Sequence, residues 1–143
     1  MRLEPLYRIR FSYPEHYFVE GSEFAGVFFA EGRCEGSLTG RFRGMNHPRL
    51  RPDDVYLPDL QGVIQTDDGA AVAFDIRGFG RARDYGREVV GTITHSCGDE
   101  RYAHLNDALC VLSGEGRDRE IRLEVAEVVW EPLAGGGSLP SSA

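Results

Sequence analysis

Hydrophobic and polar residues alternate along most of this chain with a period of two, the pattern of strands that bury one face. From Leu3 to Phe11, Leu3, Tyr7, Ile9 and Phe11 fall on one side and Glu4, Arg8 and Arg10 on the other. Tyr13-Pro14-Glu15 punctuates this run, and Tyr17 to Gly21 reads as a short strand or turn. Ala25 to Gly44 interleaves Gly26, Gly32, Gly36, Gly40 and Gly44 with large apolar residues, which predicts bulges or sharp barrel corners. Met45 to Pro58, with Pro48, Pro52 and Pro58, reads as a long loop of the kind that serves as a lid or binding loop.

Leu60 to Thr66 and Ala70 to Gly78 form the clearest pair of strands. Asp68-Gly69 between them predicts a tight hairpin built on a primed two-residue turn. In its second strand Val72, Phe74 and Ile76 share one face, and Asp75 and Arg77 the other. Phe79 to Arg87 reads as a connection. Glu88 to Ser96 is a further strand with Val89, Ile93 and His95 on one face and Val90, Thr92 and Thr94 on the other. Arg101 to Ala108 is expected to make one or two helical turns, gathering Tyr102, Leu105 and Leu109. Leu109 to Ser113 reads as a short strand, Gly114 to Asp118 as a turn centred on Glu115-Gly116, and Glu120 to Glu131 as the longest strand, stopped by Pro132.

Roughly eight to ten short strands with almost no helix predict an all-β fold, a single antiparallel β-barrel, because closure removes exposed strand edges. Residues 1–132 are expected to form that domain. The Gly/Ser/Pro tail from Leu133 to Ala143 has little to bury and is expected to be disordered.

Composition narrows the partners. The 143 residues suffice for one domain with its own core. A net charge of −7 opposes binding to phosphate backbones and anionic membranes, so neither nucleic acid nor membrane is expected as a partner. Every basic residue is arginine, which excludes a Schiff-base or P-loop lysine. Cys34, Cys97 and Cys110 are an odd set without CxxC spacing, which argues against a disulfide framework or structural zinc. With no leader pattern at Met1-Arg2-Leu3-Glu4-Pro5 and no apolar run long enough to span a bilayer, a cytoplasmic location is expected.

Several residues have chemical potential, each with a structural alternative. Asp67 and Asp68 form a carboxylate pair or merely stabilise their turn. Asp67 is the better candidate to face a pocket, since Asp68 belongs with Gly69. His95 shares a face with Ile93 and serves either as a general acid or base inside the barrel or as a hydrogen-bonded core residue. Tyr102 and Asn106, about one helical turn apart, are suited to polarising a carbonyl, or to packing at a barrel end and capping a strand. Arg77 would suit an acidic substrate, or else forms a solvated pair with Asp75. Asn46 and His47 occupy the long loop, where a lid would contact substrate. His95, Cys97 and His104 match no metal-ligand spacing, so no metal is expected. No GxSxG, GxGxxG or GxxxxGK[ST] motif occurs, and no cofactor is expected.

Four segments in order, Gly36-Ser37-Leu38-Thr39-Gly40-Arg41-Phe42, Val63-Ile64-Gln65-Thr66-Asp67-Asp68-Gly69-Ala70, Tyr102-Ala103-His104-Leu105-Asn106 and Leu123 to Trp130, resemble the DUF3237 (UPF0311) family. The resemblance covers about Leu3 to Trp130. It implies a calycin-like β-barrel with a pocket and no assigned reaction. Many members carry aspartate followed by tryptophan in the loop after the glycine-rich strands. This chain has Asn46-His47 there, so an acid contributed by that loop in relatives has no counterpart here.

Two functional expectations follow from the pocket. One is a cofactor-independent acid–base enzyme of isomerase, cyclase or hydratase type acting on an apolar or aromatic metabolite. In it, His95 or Asp67 moves the proton while Tyr102 and Asn106 hold a carbonyl. The other is a non-catalytic carrier of the same small-molecule ligand. A third, a structural component of a homo-oligomer, would use Trp130 and the phenylalanines as an interface.

Overall fold

The period-two runs fold as strands that pair antiparallel with their neighbours in a computed structural model, which describes residues 1–21 and 26–134. In these residues the strands are β1 (Arg2–Tyr17), β2 (Val27–Gly36), β3 (Gly40–Asn46), β4 (Arg49–Leu50), β5 (Tyr56–Leu57), β6 (Asp59–Thr66), β7 (Ala71–Arg83), β8 (Gly86–Ser96), β9 (Cys110–Arg117) and β10 (Glu120–Val129). A 3₁₀ turn, Ala103–Asp107, precedes β9. Eight strands close into a barrel in the order β1-β2-β3-β6-β7-β8-β9-β10, with β10 returning to β1. The remaining two, β4 and β5, form a small hairpin inside the long loop and join β7 where Tyr56 faces Gly80. The tail beyond residue 134 lies outside the described residues.

Alternation places Tyr7, Ile9 and Phe11 of β1 inside, and Arg8 and Arg10 outside. Pro14, which has no N–H to give the ladder, sits where the β1–β2 register slips between Ser12 and Glu15. Across the interior, Phe42 packs on Phe11 at 5.0 Å and stacks on Phe74 at 4.6 Å between ring centres. The outer face carries cross-strand ion pairs such as Arg8–Glu124 and Arg10–Glu120. Tight coiling needs glycine where strands crowd: a Cβ on Gly114 would lie 1.8 Å from the Arg122 carbonyl oxygen.

The barrel has two unlike ends. At one, the 37–39, 67–70 and 97–109 connections close over fully buried Leu38 and Leu105. At the other, the 47–58, 84–85 and 118–119 connections surround an open mouth.

Four local expectations need correction. The longest strand is β1, with 16 residues, and not β10, with 10. The Asp67-Asp68-Gly69 hairpin is a three-residue loop. Gly69 N–H donates to Thr66 O, only Gly69 has positive φ (95°), and Thr66 N–H donates to Ala70 O. This is a type I turn followed by a left-handed glycine rather than a primed turn, because neither aspartate has to leave the negative-φ region. Phe79–Arg83 extends β7 instead of connecting, since Gly78 and Gly91 face each other where the backbones crowd rather than marking a turn. Gly114–Gly116 are likewise strand. The turn falls at Asp118-Arg119, both left-handed (φ 53° and 66°) without any glycine.

Candidate functional site

The closed end holds most of the polar residues that the sequence singles out, and spends them on itself. Asp67 does not face the interior. Its carboxylate accepts from Arg33 at 2.7 Å on the outside, and both side chains are more than half exposed. The reason is local: Asp67 is the first residue past the ladder, its N–H is tied to Thr39 O, and Arg33 draws the carboxylate outward. Asp68 accepts from Thr66 Oγ1 (2.5 Å) and Tyr102 OH (2.6 Å), and pairs with Arg101 (3.2 Å). The Thr66 and Tyr102 hydroxyls hold its pKa below the usual carboxylate range, and the same contact raises that of Tyr102. Asn106 clamps one residue of backbone, accepting from Cys97 N–H (2.7 Å) and donating to Cys97 O (2.8 Å). Tyr102 and Asn106 therefore latch the 97–109 connection and do not converge on a shared site. Arg77 is on the outer wall between Asp59 (3.0 Å) and Asp75 (3.1 Å).

His95 does point inward, and its Nε2 lies 2.5 Å from Tyr7 OH. Burial pulls the His95 pKa down to about 4 and raises that of Tyr7 well above its ordinary value. Both groups are thus neutral at pH 7, and Nδ1 of His95 is buried with no hydrogen-bond partner. Among the described residues, no group of three or more His, Cys, Asp or Glu side chains is placed to hold a metal ion.

The cavity is at the mouth, about 350 Å³ in volume, with Phe11, Phe28, Leu60, Ile76, Val89 and Leu123 in its wall. His95 is not among its lining residues; on β8 it follows Val89 by six positions, ~20 Å of strand at about 3.3 Å per residue. Two polar side chains enter the apolar wall. Asn46 Oδ1 accepts from Asp59 N–H (2.9 Å), so its Nδ2 is the atom that donates to Tyr13 OH (3.0 Å). Burial pushes the Tyr13 pKa up to about 12 despite the opposing contact with Asn46. The phenol therefore stays protonated and, having accepted from Asn46, keeps its own hydrogen for another acceptor. Of the sequence candidates, only Asn46 lines this space. Neighbouring His47 is half-buried, with its N–H on Asp59 O (3.0 Å).

The rim pairs cations with aromatic rings. Arg87 lies 3.9 Å above the Tyr56 ring, and Arg117 lies 4.1 Å above that of Tyr85. Sequence reasoning passed over Tyr13, Tyr56, Tyr85 and Arg87. A signal existed for Tyr13 alone: it continues the odd-numbered inward face of Tyr7, Ile9 and Phe11.

The fold is shared with solved structures of low sequence identity. A β-barrel-like protein from Acinetobacter baumannii is 18% identical, with a TM-score of 0.77 over 88% of this chain and 94% of that one. A protein of unknown function from Clostridium acetobutylicum is 15% identical, with a TM-score of 0.77 over 90% and 100% of the two chains. A protein described as an enzyme from Penicillium herquei is 18% identical, with a TM-score of 0.67 over 88% and 92%. No curated protein matches the sequence. The family model for DUF3237, proteins of unknown function, matches residues 1–128, and the chain belongs to that family.

Proposed function

We propose that this chain binds an apolar or aromatic small molecule in the mouth cavity, anchored by Tyr13 and Asn46. The observation that carries this reading is the uncommitted phenol hydrogen of Tyr13 beside the aromatic and aliphatic side chains Phe11, Phe28, Leu60 and Ile76 of the cavity wall. A volume of about 350 Å³ falls within the range of small-ligand sites, roughly 300–1,000 Å³. The matching ligand feature is a carbonyl or hydroxyl oxygen at the depth of Tyr13, with a flat apolar body against Phe11 and Phe28.

The Penicillium herquei protein, described as an enzyme, favours a second reading in which the same pocket performs acid–base chemistry without a cofactor. The proton then comes from Tyr13, an acid at neutral pH, rather than from His95, Asp67 or Tyr102, which lie away from the cavity. A carrier and an enzyme share the binding step, so binding is tested first.

The test is a fluorescence titration with N-phenyl-1-naphthylamine, alongside native mass spectrometry of the freshly purified protein for a retained small molecule. Binding is expected for the wild type and is expected to be lost in Ile121→Trp, which fills the cavity from its wall. No binding by the wild type, or undiminished binding by the folded variant, sinks the reading.

A further inference from the structure

The rim of the cavity is cationic in an acidic protein, and its charge is not neutralised in place. Arg87 is half-buried in the cavity wall. Its Nη1 donates to two neutral acceptors, Gly80 O (3.2 Å) and Asp54 O (3.3 Å), and its face rests on Tyr56. Among the described residues no carboxylate lies within ion-pair distance of Arg87 or of Arg119, which also lines the cavity. Of the two acids that line the cavity, Glu120 pairs with Arg122 (2.6 Å) and Arg10 (3.1 Å), and Asp118 is exposed and makes no ion pair with Arg87 or Arg119. Elsewhere on the barrel arginines take carboxylate partners, as Arg8, Arg33, Arg41, Arg77 and Arg101 do.

A guanidinium whose cost of partial desolvation is offset only by carbonyl dipoles and a ring still has charge to give. Its ring partner and two carbonyls also fix its orientation, so a second planar group meets a preset fork. The net charge of −7 does not cancel this, because distant surface charges are screened beyond about 8–10 Å at physiological salt.

From this geometry we propose that the ligand is an aromatic or apolar acid: its flat body fills the cavity, and its carboxylate or equivalent anionic group meets Arg87, with Arg119 alongside. The inference rests on the binding reading above and names its substrate class. It also gives the two ends of the ligand different partners, a neutral donor at Tyr13 deep in the cavity and a cation at the rim.

A matched pair of competitors tests it on the wild-type protein. Displacement of bound N-phenyl-1-naphthylamine is measured with 1-naphthoate and with 1-naphthamide, which share a ring system and differ in charge. The expected result is about tenfold tighter competition by the acid, the scale of one charge-assisted hydrogen bond at a half-exposed rim. In Arg87→Gln the acid-over-amide preference is expected to fall to about twofold, a ratio that is read independently of any change in probe affinity. Arg87→Lys, which keeps the charge if Gln loosens the loop, is expected to retain most of the preference. Equal competition by acid and amide on the wild type overturns the inference and leaves the pocket standing, as does an unchanged preference in a folded Arg87→Gln. A wild type that binds no probe at all removes the pocket reading and this inference with it.

Discussion

The buried Tyr7–His95 pair makes stability depend on pH in a direction and size set by burial. His95 titrates near 6.5 in an unfolded chain and at about 4 in the folded protein, because burial disfavours the imidazolium. As pH falls through 6.5 the unfolded chain takes up a proton that the folded protein refuses, so stability is lost from about pH 6.5 down to about pH 4 and is unaffected above that window. Linkage with these two values gives a loss of about 1.4 kcal/mol at pH 5.5 and about 2.5 kcal/mol at pH 4.5 relative to pH 7.5. The perturbation is the double change Tyr7→Phe with His95→Leu, which replaces both members of the pair by apolar groups and leaves no new orphan. Urea unfolding at pH 7.5, 5.5 and 4.5 measures the effect. Circular dichroism is the suitable signal, because Trp130 is 81% exposed and its fluorescence reports little of the core. The difference in stability between pH 7.5 and 4.5 is expected to be smaller by about 2.5 kcal/mol in the variant. Equal pH dependence in the two would refute the neutral buried imidazole.

Other perturbations separate structure from chemistry. Asp67→Asn removes one partner of an exposed ion pair and is expected to cost under about 0.5 kcal/mol with no change in probe binding, read by urea unfolding and fluorescence. Asn106→Ala strips Cys97 N–H and C=O of their partners; it is expected to cost about 2 kcal/mol while probe affinity at the far end holds. Gly69→Ala meets nothing within 4 Å and carries only the conformational cost of φ 95°, about 1–2 kcal/mol, whereas Gly114→Ala collides with backbone and is expected to prevent soluble folding at 37 °C. Burial raises the thiol pKa of Cys34 to about 12 and that of Cys110 to about 11, so both are expected to stay unreactive to a disulfide reagent until denaturant is added.

What could be read from the sequence was whatever local spacing determines. The inward face of β1, the Val72-Phe74-Ile76 face of β7 and the inward turn of His95 follow from parity alone, and an all-β barrel of roughly eight to ten strands with one short helical turn follows from their sum, although the β4–β5 hairpin lies in a stretch that reads as loop. Turns were legible only where glycine marked them. Asp118-Arg119 adopts two left-handed conformations with side chains that seldom take them, so the β9–β10 turn had no residue-level signal. Gly78 had the opposite effect: it reads as punctuation but stands where a Cβ would lie 2.2 Å from Val90 O. The cavity was invisible for a different reason. Tyr13, Asn46, Tyr56 and Arg87 come from separate strands and loops, and only closure of the barrel brings them to one mouth. The Asp67-Asp68 pair, a carboxylate pair in sequence, is engaged mostly by residues some thirty positions away, Arg33 for Asp67 and Arg101 and Tyr102 for Asp68, so its structural role too emerges only on folding.

The contrast between the two ends bears on where ligand chemistry belongs. At the closed end the polar atoms satisfy one another: Asp68 is filled by Thr66, Tyr102 and Arg101, and Asn106 by a single backbone unit. Such groups fix geometry, and engaging a ligand there would first require breaking a latch. At the mouth the balance is reversed. Tyr13 retains a hydrogen to donate and Arg87 retains charge. The non-glycine residues with positive φ among those described, Asp54, Asp118 and Arg119, also lie in the mouth loops. Each such conformation costs about 1–2 kcal/mol and persists only where the surroundings hold it. Uncommitted bonding capacity and tolerated backbone strain thus coincide at the end with the cavity, while the denser polar cluster at the opposite end is the weaker candidate for function because its bonds are already made.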